Sequence, residues 1–294
     1  MSAERVTPKE WAAQGGRVTL NAQGGRFDLF VHDSGSGPAI TMLHGFPTSS
    51  LEWAAVVGKV EANHRVLAPD FLGFGFSDKP DVDYTIALQA DLIEAMWESL
   101  GVGGGTLLGY DYGGMVAMEL LARHREGSLQ FSPDRVILLN SAIFSDTYNP
   151  RLLTRLMASG PLSGLLGKAM NEKTVTRSWS EVFSEEHPLD PGVASTYWQL
   201  LQQDDPQRAL RRLLHFVPER SAQAKRWDEA LLAAKIPVTL VWGLEDLVSG
   251  SDAELVPERL PNATLAALGG IGHAPHMEVP DQAADLIAAA LGSA

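Results

Sequence analysis

The chain has 294 residues, 23 Lys and Arg against 36 Asp and Glu, and no cysteine. It can form no disulfide scaffold, no Cys nucleophile and no Cys-based metal or redox centre, so any covalent chemistry falls to Ser, Thr, Lys, His or a carboxylate. The net charge of −13 argues against nucleic acid and anionic membrane surfaces as partners.

No stretch reaches the roughly 18 apolar residues of a membrane-spanning helix. The opening residues, Met1 to Trp11, carry no apolar run of the kind a secretory signal needs. The expectation is a soluble cytoplasmic monomer or homodimer whose partners are a small apolar substrate and water, with no cofactor and no metal.

In chain order, Arg17–Leu20 and Phe27–Asp33 are short β-type runs separated by Gly24–Gly25, which predicts an N-terminal hairpin. Compact apolar runs then alternate with helical patterns: Ala39–His44 leads to Ser50–Val60, Arg65–Pro69 to Thr85–Leu100, and Thr106–Tyr110 to Gly113–Arg125, before Arg135–Asn140. This rhythm predicts an α/β fold, a mostly parallel sheet covered by helices on both faces. From Ile143 to Trp227 the pattern is helical, with Leu152, Leu153, Leu156 and Met157 at helical spacing. Strand–helix alternation resumes with Val238–Gly243, Ser251–Leu260, Ala263–Leu268 and Asp281–Leu291. The division predicted is a core of residues 1–142 and 228–294 with a helical insertion over 143–227.

The segment Thr106-Leu-Leu-Gly-Tyr-Asp111-Tyr-Gly-Gly114 runs from a buried strand into a helix whose first positions are glycines. Small neighbours at such a junction permit the sharp turn of a nucleophile elbow and expose the apical side chain, here Asp111, above the sheet. The alternative is tight strand–helix packing with Asp111 as an N-cap. Upstream, Leu43-His44-Gly45-Phe46-Pro47 forms a Gly turn after a strand. Its Phe46 N–H, with that of Tyr112, would form an oxyanion hole. Downstream, Asp246 follows the strand Leu240–Gly243, and His273 follows the last strand in Gly269-Gly-Ile-Gly-His273-Ala-Pro-His276-Met-Glu-Val-Pro. The order nucleophile, acid, histidine matches a hydrolase triad. Asn140 occupies the other strand end where such an acid can stand, and an amide cannot serve as one. His273 and His276 have no third ligand nearby, which disfavours a metal site.

These motifs resemble the α/β-hydrolase superfamily. His44-Gly-Phe-Pro-Thr-Ser-Ser50 and Asp70-Phe-Leu-Gly-Phe-Gly-Phe-Ser-Asp-Lys-Pro80 are similar to the epoxide hydrolase and haloalkane dehalogenase branch, most of all to its mesoderm-specific-transcript-type members, which share an Asp-Tyr-Gly elbow. The resemblance implies a sheet of about eight strands, a helical cap over residues 143–227 roofing the site, and water as co-substrate. A carboxylate is ionised at pH 7 and can displace a leaving group from saturated carbon, forming an alkyl-enzyme ester that a His-activated water hydrolyses.

An epoxide leaving group needs an O–H donor, for which Tyr148 and Tyr197 are the candidates in the insertion. His44 and Trp179 complete the candidate substrate contacts. A halide instead needs N–H donors of the kind a Trp after the nucleophile and a second Trp or Asn supply, and Tyr112 and Phe46 stand in those places. The expected activity is therefore epoxide opening to a diol, with dehalogenation second and a ligand-binding protein without turnover third.

Overall fold

The computed structural model describes residues 6–147, 171–202, 216–249 and 252–292. The first element, α1 (Pro8–Gln14), was not expected from periodicity, yet its start signal stands in the sequence. Thr7 Oγ accepts from Glu10 N–H, the Glu10 carboxylate accepts from Thr7 N–H at 2.8 Å, and Pro8 occupies the first turn. The helix buries Trp11, which stacks on His32 with ring centroids 4.1 Å apart and donates to Ser50 Oγ.

The predicted hairpin follows as β1 (Gly15–Ala22) and β2 (Gly25–Ser34). Next come β3 (Ala39–Leu43), a 3-10 turn over Ser50–Trp53 leading into α2 (Ala54–Val60), β4 (Arg65–Pro69), α3 (Ile86–Leu100), β5 (Gly104–Tyr110), α4 (Tyr112–Glu126) and β6 (Ser132–Leu139). The segment before β7 (Val238–Gly243) contains α5 (Glu172–Ser180), α6 (Pro191–Leu201) and α7 (Phe216–Leu232). The chain ends on α8 (Asp252–Arg259), β8 (Thr264–Leu268), the one-turn α9 (Pro275–Glu278) and α10 (Pro280–Gly292).

Among the described residues eight strands form one sheet in the order β1-β2-β4-β3-β5-β6-β7-β8, in which β2 runs antiparallel to both neighbours and the remaining pairs are parallel. The central strands are apolar on both faces because helices cover both. Leu43, Leu107, Leu138 and Leu240 face one core with α3 and α4, and Met42, Leu108, Leu139 and Val241 face the other with α2 and α10.

The strand order positions the site. From β3 the chain crosses to β4 on one side, and from β5 it crosses to β6 on the other, so the loops leaving the adjacent strands β3 and β5 diverge. A crevice opens at the carboxyl ends of the strands at such a switch point. The β3 loop carries Phe46 and the β5 loop carries Asp111.

Helix α7 is continuous through Trp227 and Asp228, so a division placed between them cuts a single element. It is fastened to the sheet-covering helices. Trp227 Nε1 and Arg226 bind Glu119 of α4, and Glu219 accepts the Ile86 and Ala87 N–H groups that open α3. Among the described residues no helix is long and apolar enough to cross a membrane.

Candidate active site

Asp111 joins β5 to α4 at φ 48° and ψ −112°, a backbone conformation that a residue with a side chain adopts at a cost of about 1–3 kcal/mol. The turn is this sharp because α4 starts directly against β3. A Cβ on Gly113 would stand 2.1 Å from the Leu43 carbonyl oxygen. Asp111 holds the N-cap position, but its carboxylate makes no capping bond to the helix. Only its carbonyl does so, accepting from Gly114 and Met115 N–H. The carboxylate is turned to the crevice instead, where Oδ2 accepts the Phe46 N–H at 3.0 Å and Oδ1 lies 3.5 Å from His273 Nε2. Tyr112, the first residue of α4, has an N–H in the turn where a helix offers no internal acceptor.

Behind His273, its Nδ1 meets Asp246 Oδ2 at 2.8 Å. Asp246 is buried and fully supplied with donors: Asn140 Nδ2 at 2.9 Å, Ser249 Oγ at 2.6 Å and Val248 N–H at 2.7 Å. Burial works against its charge, but His273, then Ser249 and Asn140, outweigh it and hold the carboxyl below its ordinary range. Asn140 is thus part of the constellation in a way the sequence did not disclose. Its amide also donates to Gly243 O and accepts Gly243 N–H, bracing the end of β7 from which Asp246 projects. Asn140→Ala leaves both Gly243 groups and one Asp246 lone pair without their partner, and is expected to cost about 1–3 kcal/mol. Urea denaturation at pH 7 measures this, and a wild-type midpoint would contradict it.

For His273, burial disfavours the charged ring, while Asp246 and Asp111 together favour it more, raising its pKa to about 10. Because this lies above the unfolded value of about 6.5, the pairing contributes its full stability below the unfolded value and loses it as pH rises through the folded one. Removing one of the two charges must lower the folded value. In Asp111→Asn the imidazole is therefore expected to titrate below its wild-type pKa, read by 15N-edited NMR. Identical titrations would contradict the coupling.

The other sequence candidates are distributed as follows. His44 is fully buried, with Nδ1 on Gly45 O at 2.8 Å and Nε2 accepting Phe71 N–H at 3.0 Å. Both nitrogens are engaged by backbone, so the ring braces the β3 loop and has nothing left to offer a substrate. Trp179 is a packing residue of α5 against Phe183 and Tyr197. Tyr197 is buried in α6, and burial followed by the charges of Glu52 and Asp70 pushes its hydroxyl well above the usual range, so it keeps its proton. Tyr148 lies outside the described residues. Apolar rings gather beside Asp111: Phe46 packs on Phe74, Phe216, Trp198 and Leu201. His276 faces away from His273 in role, its ring held between Trp53 and Tyr110 and its Nε2 3.5 Å from Glu52. Among the described residues no three His, Asp or Glu side chains gather as metal ligands would.

Glu52 is a further residue that periodicity hid. Its buried carboxylate accepts Gly45 N–H at 2.9 Å and the Thr48 hydroxyl, which sets the course of the loop presenting the Phe46 N–H.

A family model described as "Alpha/beta hydrolase family" matches residues 42–286. The chain belongs to the alpha/beta hydrolase family. Within it the chain is similar to LipZ of Mycobacterium tuberculosis, 34% identical over 275 residues that cover 92% of this chain and 93% of that protein. It is also similar to the human mesoderm-specific transcript homolog protein, 35% identical over 265 residues, 86% of this chain and 79% of that one. Among solved structures, the haloalkane dehalogenase DatA from Agrobacterium tumefaciens superposes with a TM-score of 0.76 at 22% identity, covering 94% of this chain and 96% of that one. The epoxide hydrolase CorEH superposes at 0.74 and 21% identity, covering 93% and 96%. At such identities these two attest the fold, and as an alpha/beta hydrolase the chain is a hydrolytic enzyme of that fold.

Proposed function

We propose that this hydrolase uses Asp111 as a nucleophile on saturated carbon and that its substrates are small apolar epoxides, opened to diols. One observation carries the reading: the side chain at the elbow is a carboxylate, with the Phe46 N–H on one oxygen and His273 beside the other. Oδ1 attacks an epoxide carbon, the C–O bond of the ring breaks, and the alkoxide takes a proton from an O–H donor, for which Tyr148 and Tyr197 are the candidates; that donor recovers a proton from His273, which is left neutral. Water then adds to the ester carbonyl and gives its proton to His273 Nε2, while the Phe46 and Tyr112 N–H groups stabilise the oxyanion. Collapse breaks the acyl–oxygen bond, the departing oxygen takes the proton back from His273, and the Asp111 carboxyl so formed gives its remaining proton to His273, restoring the starting carboxylate and imidazolium.

The charge coupling supports this order. In the free enzyme Asp111 helps keep His273 protonated, and esterification removes that negative charge. The imidazole's pKa then falls, so the ring is released from its proton and free to accept one at the step that requires a base.

Epoxides are favoured over haloalkanes by what surrounds the carboxylate. The two positions that would supply halide-binding side-chain N–H groups carry Tyr112, whose ring is buried against Phe71 and Phe74, and Phe46. The aromatic wall of Phe46, Trp198 and Phe216 supports an apolar substrate. Diol release from styrene oxide set against halide release from a bromoalkane panel tests the choice. Halide release without diol formation would overturn it.

A further inference from the structure

Around His273 one buried carboxylate has no part in the chemistry just described. Glu278, at the end of α9, collects four donors. Its Oε2 accepts Gly272 N–H at 2.9 Å, Ser184 N–H at 3.1 Å and the Ser184 hydroxyl at 2.7 Å, and its Oε1 accepts Ala274 N–H at 3.2 Å. Gly272 and Ala274 are the residues on either side of His273. Ser184 belongs to the segment between α5 and α6, as does Val182, whose carbonyl accepts the His273 N–H at 2.9 Å. The convergence depends on the glycine. A Cβ at Gly272 would stand 2.6 Å from Val182 O, 2.8 Å from Ser184 N and 2.9 Å from Glu278 Oε1.

We propose that Glu278 is a positioning residue that fixes the His273 loop to the helical segment between β6 and β7 and thereby sets the imidazole for ester hydrolysis. The proposal rests on the assignment of His273 as the general base. The Glu278 carboxylate meets only N–H and O–H donors and accepts from each. Clamped on both sides, the His273 backbone has little freedom to rotate its ring away from Asp246 and Asp111. The chain between β6 and β7 that carries Ser184 also carries Trp198 of the aromatic wall, so the same contacts place the imidazole relative to that wall. A Gln at 278 keeps one acceptor oxygen and sets an NH2 against amide donors, which loosens the clamp without opening a cavity.

Two measurements test it. The first is the low-field 1H resonance of the Nδ1–H shared by His273 and Asp246, assigned by its loss in His273→Gln. The second is rapid-quench mass spectrometry with styrene oxide, which separates ester formation from ester breakdown. In Glu278→Gln we expect the resonance to broaden into exchange with water and ester breakdown to slow by up to about a hundredfold, with ester formation close to wild type. Ser184→Ala removes only one hydroxyl donor and is expected to move both readouts in the same direction by less. It decides the matter if Glu278→Gln does not fold. A folded variant with the wild-type resonance and wild-type ester breakdown overturns the proposal. If no ester forms in any variant while the resonance still responds to Glu278→Gln, the positioning role stands and the nucleophile assignment alone falls.

Discussion

Asp111→Asn is expected to lower turnover by about ten-thousandfold or more while leaving the fold intact. The position has φ 48°, and Asn is among the few residues with side chains that tolerate this region well. Its amide oxygen can still accept the Phe46 N–H. The shape of the elbow is therefore kept and only the chemistry changes, because a neutral amide is a poor nucleophile toward saturated carbon. The comparison of kcat with the thermal midpoint separates the two effects. A variant that keeps its midpoint and its turnover would remove Asp111 from the mechanism.

His273→Gln is expected to halt the reaction midway. Asp111 remains to attack, but no group takes the proton from water, and ester breakdown should slow by about 10²–10⁴-fold. The ester then accumulates and is visible as a heavier intact protein. The added mass also reports the substrate class: an epoxide adds its whole mass, whereas a haloalkane adds only its alkyl group in exchange for a proton. Loss of activity with no adduct would place His273 before ester formation instead of after it.

Much of the site could be read from local sequence because the constraints at Asp111 are themselves local. A strand that turns into a helix within one residue needs small neighbours, and Gly109, Gly113 and Gly114 stand where that need is greatest. Asp246 and His273 could be read because each follows a strand with Gly at its end. What escaped depends on strands distant in sequence becoming neighbours. Asn140 supports Asp246 only because β6 pairs with β7, bringing Leu139 opposite Val241, and an amide looked unfit at a position considered only for an acid. His44 looked like a site residue from its place in the loop, yet Phe71 N–H, 27 positions later, turns its ring inward. Helix α1 was missed for a different reason. It is seven residues long, too short for periodicity to show, although the Thr7–Glu10 capping box marks its start. The Leu spacing from which the segment before β7 reads as helical lies outside the described residues. The end of the segment was not legible, because α7 runs on past Trp227 to pack against α4.

The mechanism turns on an ester at Asp111, which a single turnover in 18O-labelled water detects through the fate of the oxygen atoms. With enzyme in excess over styrene oxide, the new hydroxyl of the diol is predicted to carry an unlabelled oxygen donated by Asp111, and the peptide containing Asp111 is predicted to gain the label. Label appearing in the first-turnover diol, with an unlabelled Asp111 peptide, would mean that water attacks the substrate directly and that no ester forms at Asp111.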